Sequence, residues 1–407
     1  MAEENLQTFS IVCDRPSHLY HLGEKVKFTI TTQQPGVEAE VVFSADGEAV
    51  ISRRKIKTPC TVKEGLPFPG FLRCTVSAPD MPDALAGAAF DPADIRPVLP
   101  EPEDFREFWQ NGLSEQEKIA PGFKYEELTS LSDDEFKVFL VECNIINDSK
   151  CYAYVRLPRS GEKLPLLVYY EGAGAGQCQE YFGLHCGTAD KYLPRRVAML
   201  SIFTHPYRPP VTREEHVKLH AEYEAAMPEK CYLARGLAEG PQKTFFYRSI
   251  LGSVRMINHV CALPEIDQEH ISYLGVSQGG GFGFYLTALC PQIKGAFFGV
   301  PGFCNCGGFL AGHHQTTLRA DYFRTYYDVM RYFDPVNFAR MIKVPVLVSC
   351  GFIDTTCQPS GIYAAYNELQ GNKMMFHKTC DGHAGGPVEY EPLTWFYAAS
   401  HLGLCIK

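Results

Sequence analysis

The sequence predicts an α/β fold with a mostly parallel sheet, preceded by a small antiparallel β-sandwich. Before residue 80, apolar and polar residues repeatedly alternate with a period of two, which is typical of strands with one buried face. After residue 135, short apolar runs alternate with helical stretches, as in a sheet that helices cover on both faces. The chain has 407 residues, of which 45% are hydrophobic, so it is long enough for one large core and a smaller domain.

Residues 1–80 are predicted to form the sandwich, with an Ig-like arrangement. The runs "VKFTITT" and "VEAEVVF" each place their apolar residues on one face, and "AVISRRKI" and "FLRCTVSA" follow them. Turn signals such as "QPG" and "ADGE" separate these runs. Several short alternating strands joined by turns favour two packed antiparallel sheets.

A proline-rich connector is predicted over residues 81–102, and the larger domain over residues 103–407. The segment from Pro79 to Pro102 contains six prolines, both ends included, which suits an extended, ordered segment. The larger domain begins with a predicted helix, because Phe105, Phe108 and Trp109 fall on one helical stripe behind an acidic first turn.

The strands of the larger domain follow this helix. Two alternating runs come first, "EFKVFLVEC" and "CYAYVRL". Six short apolar runs, each a predicted buried strand, then alternate with helical segments: "PLLVYY", "VAMLSIF", "HISYLGV", "GAFFGV", "VPVLVSC" and "KMMFHKT". Ligands of such sheets bind at the carboxyl ends of the strands, so the residues after each run are the candidates for function.

Three of these strand ends carry a serine, an acid and a histidine. Ser277 lies in Gly-Val-Ser-Gln-Gly, a G-x-S-x-G pattern typical of a nucleophile elbow, while Asp354 and His383 follow two later strands. A serine hydroxyl becomes a good nucleophile only when a histidine accepts its proton and a carboxylate orients that histidine. The order serine, acid, histidine is that of α/β-hydrolases. Asp381 is the competing acid, although it lies only two residues from His383.

Acyl transfer also requires donors for an oxyanion. In this architecture, one is the backbone amide of the residue after the nucleophile, here Gln278, and the other comes from a loop after an earlier strand. The glycine-rich stretch "YYEGAGAG" supplies that loop, and Ala173 is the predicted second donor.

Longer segments of the sequence resemble one known family. "PEDFREFW", "FFYRSILGSVRMINHVCALPEIDQEHISYLGVSQGG" and "GFIDTTCQPSGIYAAYNEL" are similar to acetyl xylan esterases and cephalosporin-C deacetylases, carbohydrate esterase family 7, over about residues 97–405. The resemblance implies that Ser277, Asp354 and His383 form the triad, with no cofactor and with acetylated sugars or antibiotics as substrates. It also implies a homo-oligomer, since members often form hexamers; the alternative is that the N-terminal sandwich, an addition to the single-domain members, blocks or replaces the hexamer contacts.

Three departures from that family lie beside the expected site. "THPYRPP" replaces Arg-Gly-Gln after one strand, Ala384 replaces a glutamate after the histidine, and Glu171-Gly172-Ala173 replaces His-Gly-Tyr in the oxyanion loop. Residues 205–243, which include Tyr232, are predicted to be either a lid or a solvated surface loop.

Composition excludes several partners and sites. A net charge of −9 and a pI near 5.8 argue against binding to nucleic acid or anionic membranes. The chain shows no signal-peptide pattern and its sixteen cysteines form no tight framework, so a cytoplasmic protein with reduced thiols is expected. The cluster of Cys304, Cys306, His313 and His314 matches no standard zinc spacing, and no metal site is predicted.

We therefore expect a serine esterase that removes acetyl or other short acyl groups from small carbohydrates through an acyl-enzyme. Two alternatives stay open at this point. One is a peptidase of the α/β-hydrolase type, which would use the same triad. The other is a carbohydrate-binding protein in which the sandwich binds sugar and the hydrolase domain is degenerate. Tyr169, Tyr170 and Tyr181 lie near the oxyanion loop in sequence and could either contact a sugar or pack in the core.

Overall fold

The computed structural model describes residues 8–193, 196–313, 320–386 and 401. Within these residues the chain forms an N-terminal pair of antiparallel-rich sheets followed by a large, mostly parallel sheet with helices. The predicted fold class is therefore confirmed. No helix in the described ranges is long and apolar enough to cross a membrane.

The N-terminal domain is a β-sandwich of a three-stranded sheet, in the order β1-β3-β6, and a five-stranded sheet, in the order β2-β8-β7-β4-β5. Alternate residues of both sheets meet in one apolar core, where the rings of Phe28 and Phe43 stack with centroids 6.1 Å apart. The strands are Phe9–Cys13 (β1), Leu19–Tyr20 (β2), Val26–Thr32 (β3), Glu38–Ala45 (β4), Ala49–Lys57 (β5), Cys60–Glu64 (β6), Gly70–Ser77 (β7) and Ala84–Phe90 (β8).

The connector predicted over residues 81–102 contains a strand, β8, in its first half. Residues 84–90 pair with β7 in the antiparallel sense and so belong to the sandwich. The sequence "ALAGAAF" hid this strand, because it contains no β-branched residue and lies between prolines. Its small side chains have a structural role, since Gly87 lies against the backbone of the larger domain.

The larger domain contains a nine-stranded sheet in the order β17-β16-β15-β14-β12-β13-β11-β10-β9. The pairs from β13 to β17 are parallel, whereas β9, β10 and β11 form an antiparallel edge that ends on β13. The strands are Lys124–Glu127 (β9), Phe136–Ile145 (β10), Ser149–Pro158 (β11), Leu164–Tyr170 (β12), Ala198–Phe203 (β13), Ile266–Val276 (β14), Gly295–Gly299 (β15), Val346–Gly351 (β16) and Lys373–Lys378 (β17).

Both faces of this sheet are buried. Leu166 and Val168 of β12 belong to one apolar cluster, while the intervening Leu167 belongs to another, so alternate side chains pack on opposite sides. The helices are Phe105–Glu117 (α1), Gln179–Tyr192 (α2), Arg213–Ala225 (α3), Phe245–Cys261 (α4), Gln278–Leu289 (α5), Ala320–Thr325 (α6), Tyr327–Met330 (α7), Pro335–Ala339 (α8) and Pro359–Glu368 (α9).

Candidate active site

Ser277 occupies a sharp turn between β14, which ends at Val276, and α5, which begins at Gln278. Its backbone has φ 60° and ψ −118°, a conformation that residues with a side chain rarely adopt. Three backbone hydrogen bonds hold it there: its N–H donates to Gly299, and its carbonyl accepts from Gly281 and Gly302. The turn thus presents the hydroxyl at the carboxyl end of the sheet.

The glycines that flank Ser277 are required by close backbone contacts. A Cβ on Gly275 would lie 2.4 Å from the carbonyl oxygen of Gly279, and a Cβ on Gly279 would lie 2.0 Å from the carbonyl oxygen of Tyr170. Neither position can hold a side chain without moving the backbone. This is the physical reason for the G-x-S-x-G pattern in this chain.

His383 and Asp354, the other two predicted residues, form a chain of hydrogen bonds with Ser277. His383 Nε2 lies 2.9 Å from Ser277 Oγ, and His383 Nδ1 lies 2.9 Å from Asp354 Oδ2. A carboxylate only accepts hydrogen bonds, so Nδ1 carries the proton and Nε2 is free to accept that of Ser277. The site thus pairs the imidazole with Asp354 rather than with the competing Asp381.

Asp354 is buried with 0% exposure, and its carboxylate is fully engaged. Oδ2 accepts from the imidazole, while Oδ1 accepts from the backbone amides of Thr356 and Cys357 at 2.7 and 2.9 Å. The loop that carries it lies against the loop that carries the histidine. A Cβ on Gly351 would meet the carbonyl oxygen of Gly382 at 2.4 Å.

Of the two predicted oxyanion donors, Gln278 directly follows Ser277, and Ala173 follows Gly172, which lies close to Ser277. Gln278 is the first residue of α5, where backbone amides have no partner within the helix and the helix dipole is positive. The loop after β12 also lies close to the serine, since a Cβ on Gly172 would lie 4.0 Å from Ser277 Cβ. Ala173 follows directly in that loop.

The side chain of Gln278 joins three segments of the chain. Its Nε2 donates to Thr204 Oγ1 at 3.1 Å and to the carbonyl of Gly172 at 3.5 Å, while its Oε1 accepts from Tyr232 Oη at 2.7 Å. Gln278 therefore ties the oxyanion loop to the end of β13 and to residues 205–243. These three hydrogen bonds, called the Gln278 clamp below, explain why glutamine follows the serine in the elbow.

Residues 205–243, predicted to be a lid or a surface loop, pack directly on the oxyanion loop. His205 Nε2 donates to the carbonyl of Gly174 at 2.8 Å, and Tyr232 Oη accepts from the amide of Gly174 at 3.1 Å. His205 and Tyr232 are almost fully buried. Burial and the neighbouring His220 lower the pKa of His205 well below its ordinary value, so the imidazole is neutral.

Glu171, which replaces the histidine of the resembled family, is a buried support of the same loop. Its carboxyl accepts hydrogen bonds from the amides of Gln177 and Thr204, which join the two ends of the loop to β13. Burial raises the pKa of Glu171 to about 8, although these amide bonds oppose the shift. A Cβ on Gly176, whose φ is 90°, would collide with this carboxyl.

Two of the three tyrosines near the oxyanion loop line a cavity of about 530 Å³ that begins at Gly172 and Ala173. Tyr169 and Tyr181 face it, and the guanidinium of Arg213 lies 5.1 Å from the ring of Tyr181. Tyr170 is instead fully buried and stacks on Phe282 with centroids 4.2 Å apart. The cavity thus adjoins the oxyanion loop, although the residues that line it do not include Ser277.

The cysteine and histidine cluster that was considered for zinc is only partly described, because His314 lies outside the described residues. Cys304 is half-buried and Cys306 is buried, and burial raises the pKa of both thiols well above the ordinary value. In the described parts of the chain, no group of three or more histidine, cysteine or acidic side chains is placed to hold a metal ion.

Arg73, a residue of the sandwich that was not predicted from the sequence, also reaches this site. Its Nη2 donates to the backbone carbonyl of Asp354 at 2.6 Å. One signal was present: β7 carries Phe71 on the face opposite Leu72 and Cys74, which indicates that both faces of this strand are covered.

The chain is similar to known acetyl esterases in sequence. A sequence profile described as acetyl xylan esterase (AXE1) matches residues 93–391. The acetyl esterase Axe7A of Xylanibacter ruminicola is 24% identical over 402 residues, covering 93% of this chain and 88% of that protein. The aligned 93% of this chain is more than the residues after position 93 could supply, so the alignment extends into the N-terminal domain.

Solved structures with the same fold include two acetyl xylan esterases. Acetyl xylan esterase 1 from a Thermoanaerobacterium species superposes with a TM-score of 0.62 at 20% identity, covering 76% of this chain and 97% of the other. An acetyl xylan esterase from a Paenibacillus species gives a TM-score of 0.62 at 24% identity, covering 76% and 98%.

Proposed function

This chain belongs to the acetyl xylan esterase family and is a carboxylic ester hydrolase, and on that basis we propose that it removes acetyl groups from small carbohydrates by a serine mechanism. The observation that carries the mechanism is the chain of hydrogen bonds from Ser277 through His383 to Asp354. Each residue comes from a different strand end, and the acid has no exposed surface.

In the first half of the reaction, Ser277 Oγ attacks the ester carbonyl and transfers its proton to His383 Nε2. Asp354 holds the imidazole in the tautomer that can accept this proton and stabilises the resulting imidazolium. The amides of Gln278 and Ala173 donate to the developing oxyanion. The imidazolium then gives its proton to the leaving sugar oxygen, and the acetyl group stays on Ser277.

In the second half, a water molecule attacks the acetyl-serine and loses a proton to His383. Collapse of the second oxyanion breaks the bond to Ser277, which recovers the proton from the imidazolium, and acetate is released. The same groups serve both halves, so no further acid or base is required.

The cavity beside the oxyanion loop supports a small carbohydrate as the alcohol part of the ester. Its volume of about 530 Å³ lies in the usual range for small-molecule sites, and it presents tyrosine, arginine and histidine side chains to a ligand. His185 packs against the ring of Tyr169, with centroids 4.1 Å apart, and Arg213 lies over one face of Tyr181, so a sugar would stack on the opposite face of either ring. We assign short acetylated oligosaccharides as the substrates, because this cavity has the volume of a small-molecule site.

Acetate release from acetylated xylo-oligosaccharides and glucose pentaacetate tests this proposal. We expect Ser277→Ala to lose all measurable turnover with the fold intact, whereas Ser114→Ala, a change on the exposed face of α1, should match the wild type. A phosphonate inhibitor should label Ser277 alone.

Two outcomes would contradict the proposal. Acetate release by the Ser277→Ala protein at the wild-type rate would exclude the serine mechanism. Cleavage of peptide amides together with inactivity on every acetylated sugar would instead favour the peptidase alternative.

A further inference from the structure

The N-terminal sandwich reaches the active site through one buried side chain, that of Arg73 in β7. Arg73 is 6% exposed, and its Nη2 donates to the carbonyl of Asp354 although the two residues lie 281 positions apart. A guanidinium keeps its charge under all ordinary conditions. The contact therefore places a buried cation beside the proposed catalytic acid.

The guanidinium is held in position by both domains. Gly47, in the turn after β4, has φ 86°, and a Cβ there would lie 2.5 Å from Arg73 Nη1. The adjacent Asp46 is 1% exposed, and its carboxylate accepts a hydrogen bond from Ser360 in α9. Burial lowers the pKa of Arg73, while the negative charges of Asp46 and Asp354 oppose this shift. The arginine side chain is thus buried between the sandwich and the loop that carries Asp354.

Two further contacts of the sandwich support the same loop. The ring of Phe71 in β7 packs edge-on against Phe352, with centroids 5.1 Å apart. Gly87 in β8 lies so close that a Cβ on it would meet the carbonyl oxygen of Phe352 at 2.6 Å. Phe352 precedes Asp354 by two residues, so strands β7 and β8 form the wall behind the acid.

The carboxylate of Asp354 is satisfied by partners in the larger domain, whereas its backbone carbonyl is bound by the sandwich. We propose that Arg73 is a positioning residue, which fixes the backbone of Asp354 so that the carboxylate keeps His383 in line with Ser277. The inference rests on the proposed function, in which Asp354 orients the imidazole. It makes the sandwich a structural part of the active site.

Steady-state kinetics of the full chain test this inference. We expect Arg73→Met to lower kcat about 10- to 100-fold with KM changed less than twofold, because a small displacement of the acid loop misaligns the imidazole without touching the sugar. Arg73→Lys should recover part of the loss, since an ammonium can still donate to a carbonyl. Arg53→Met, which removes an exposed arginine of β5, is the matched control and should leave kcat unchanged.

Two more measurements separate positioning from a general loss of stability. The low-field proton resonance of the His383 Nδ1–H bond to Asp354 should shift or broaden in Arg73→Met but not in Arg53→Met. If Arg73→Met does not fold, Gly87→Ala provides a second test, because its methyl group would press on the backbone of Phe352, two residues before Asp354. It should lower kcat and leave KM unchanged.

A double-mutant comparison distinguishes the failure of this inference from the failure of the proposed function. If Arg73 acts through Asp354, adding Arg73→Met to Asp354→Asn should cost little further activity. Additive losses, or a wild-type kcat in folded Arg73→Met, would overturn the positioning role; where Arg73→Met does not fold, a wild-type kcat in Gly87→Ala would do so. An Asp354→Asn protein with wild-type activity would instead refute the triad assignment itself.

Discussion

The burial of Glu171 predicts how the free energy of unfolding depends on pH. Burial raises the pKa of this carboxyl from an ordinary value of 4.5 to about 8 in the folded chain. Between these two values the unfolded chain has lost the proton while the folded chain retains it. The free energy of unfolding should therefore fall by ~1.4 kcal/mol for each unit by which the pH rises within this window. Below pH 4.5 and above pH 8 the two states bind the same number of protons, and the slope from this group vanishes.

The variant that isolates this effect is Glu171→Gln, which cannot ionise. Its amide can accept only one of the two backbone hydrogen bonds that the carboxyl accepts, from Gln177 and Thr204, which costs about 1–3 kcal/mol at every pH. Against this constant offset, the variant should gain ~1.4 kcal/mol relative to the wild type for each pH unit between 4.5 and 8. Over three units the change of ~4 kcal/mol is a large part of the stability of a typical domain.

Urea unfolding at pH 5, 6, 7 and 8, followed by tryptophan fluorescence, measures this difference, because Trp109 packs in the core of the larger domain. Subtracting the free energy of unfolding of the wild type from that of the variant removes the contribution of every titrating group that the two proteins share. A difference that stays constant across this range would show that Glu171 is ionised in the folded chain, and the reasoning from its burial would be wrong.

Three further predictions concern the site. Asp354→Asn should lower kcat/KM about 10³- to 10⁴-fold by favouring the wrong imidazole tautomer, whereas Asp381→Asn should cost less than tenfold; the reverse ranking in an ester assay would refute the choice of acid. Tyr232→Phe removes the hydroxyl that joins the oxyanion loop to Gln278 and should lower kcat about tenfold, and an unchanged rate would show that this clamp is dispensable. Tyr181→Ala should raise KM for acetylated xylo-oligosaccharides and not for p-nitrophenyl acetate; equal effects on both would exclude Tyr181 from sugar binding.

The strands of the larger sheet were predictable because burial on both faces imposes short apolar runs. The run "VPVLVSC" marks β16, and the acid follows it at the carboxyl end as the architecture requires. Strand β9, Lys124–Glu127, was not predicted, because it is an exposed edge strand with no apolar pattern. Strand β8 was hidden by its alanines, which carry little strand signal of their own.

The supports of the site were less accessible to sequence reasoning than its central residues. Ser277 and its glycines form a local motif, since the turn itself demands small neighbours. The contact of Arg73 with Asp354 spans 281 residues, and that of Tyr232 with Gln278 spans 46. Neither contact produces a recognisable periodicity or motif in the sequence, because each depends on how distant segments of the chain pack together.

The contact between β7 and the acid loop also has a consequence for biosynthesis. Domains fold as units, and the N-terminal one folds first as the chain leaves the ribosome. The sandwich is complete at Phe90, whereas Asp354 and His383 are added more than 260 residues later. The surface that receives the acid loop therefore exists before the loop is synthesised. A nascent chain should accordingly have no esterase activity until almost all of the larger domain has been made, with the sandwich serving as the template on which its last loops settle.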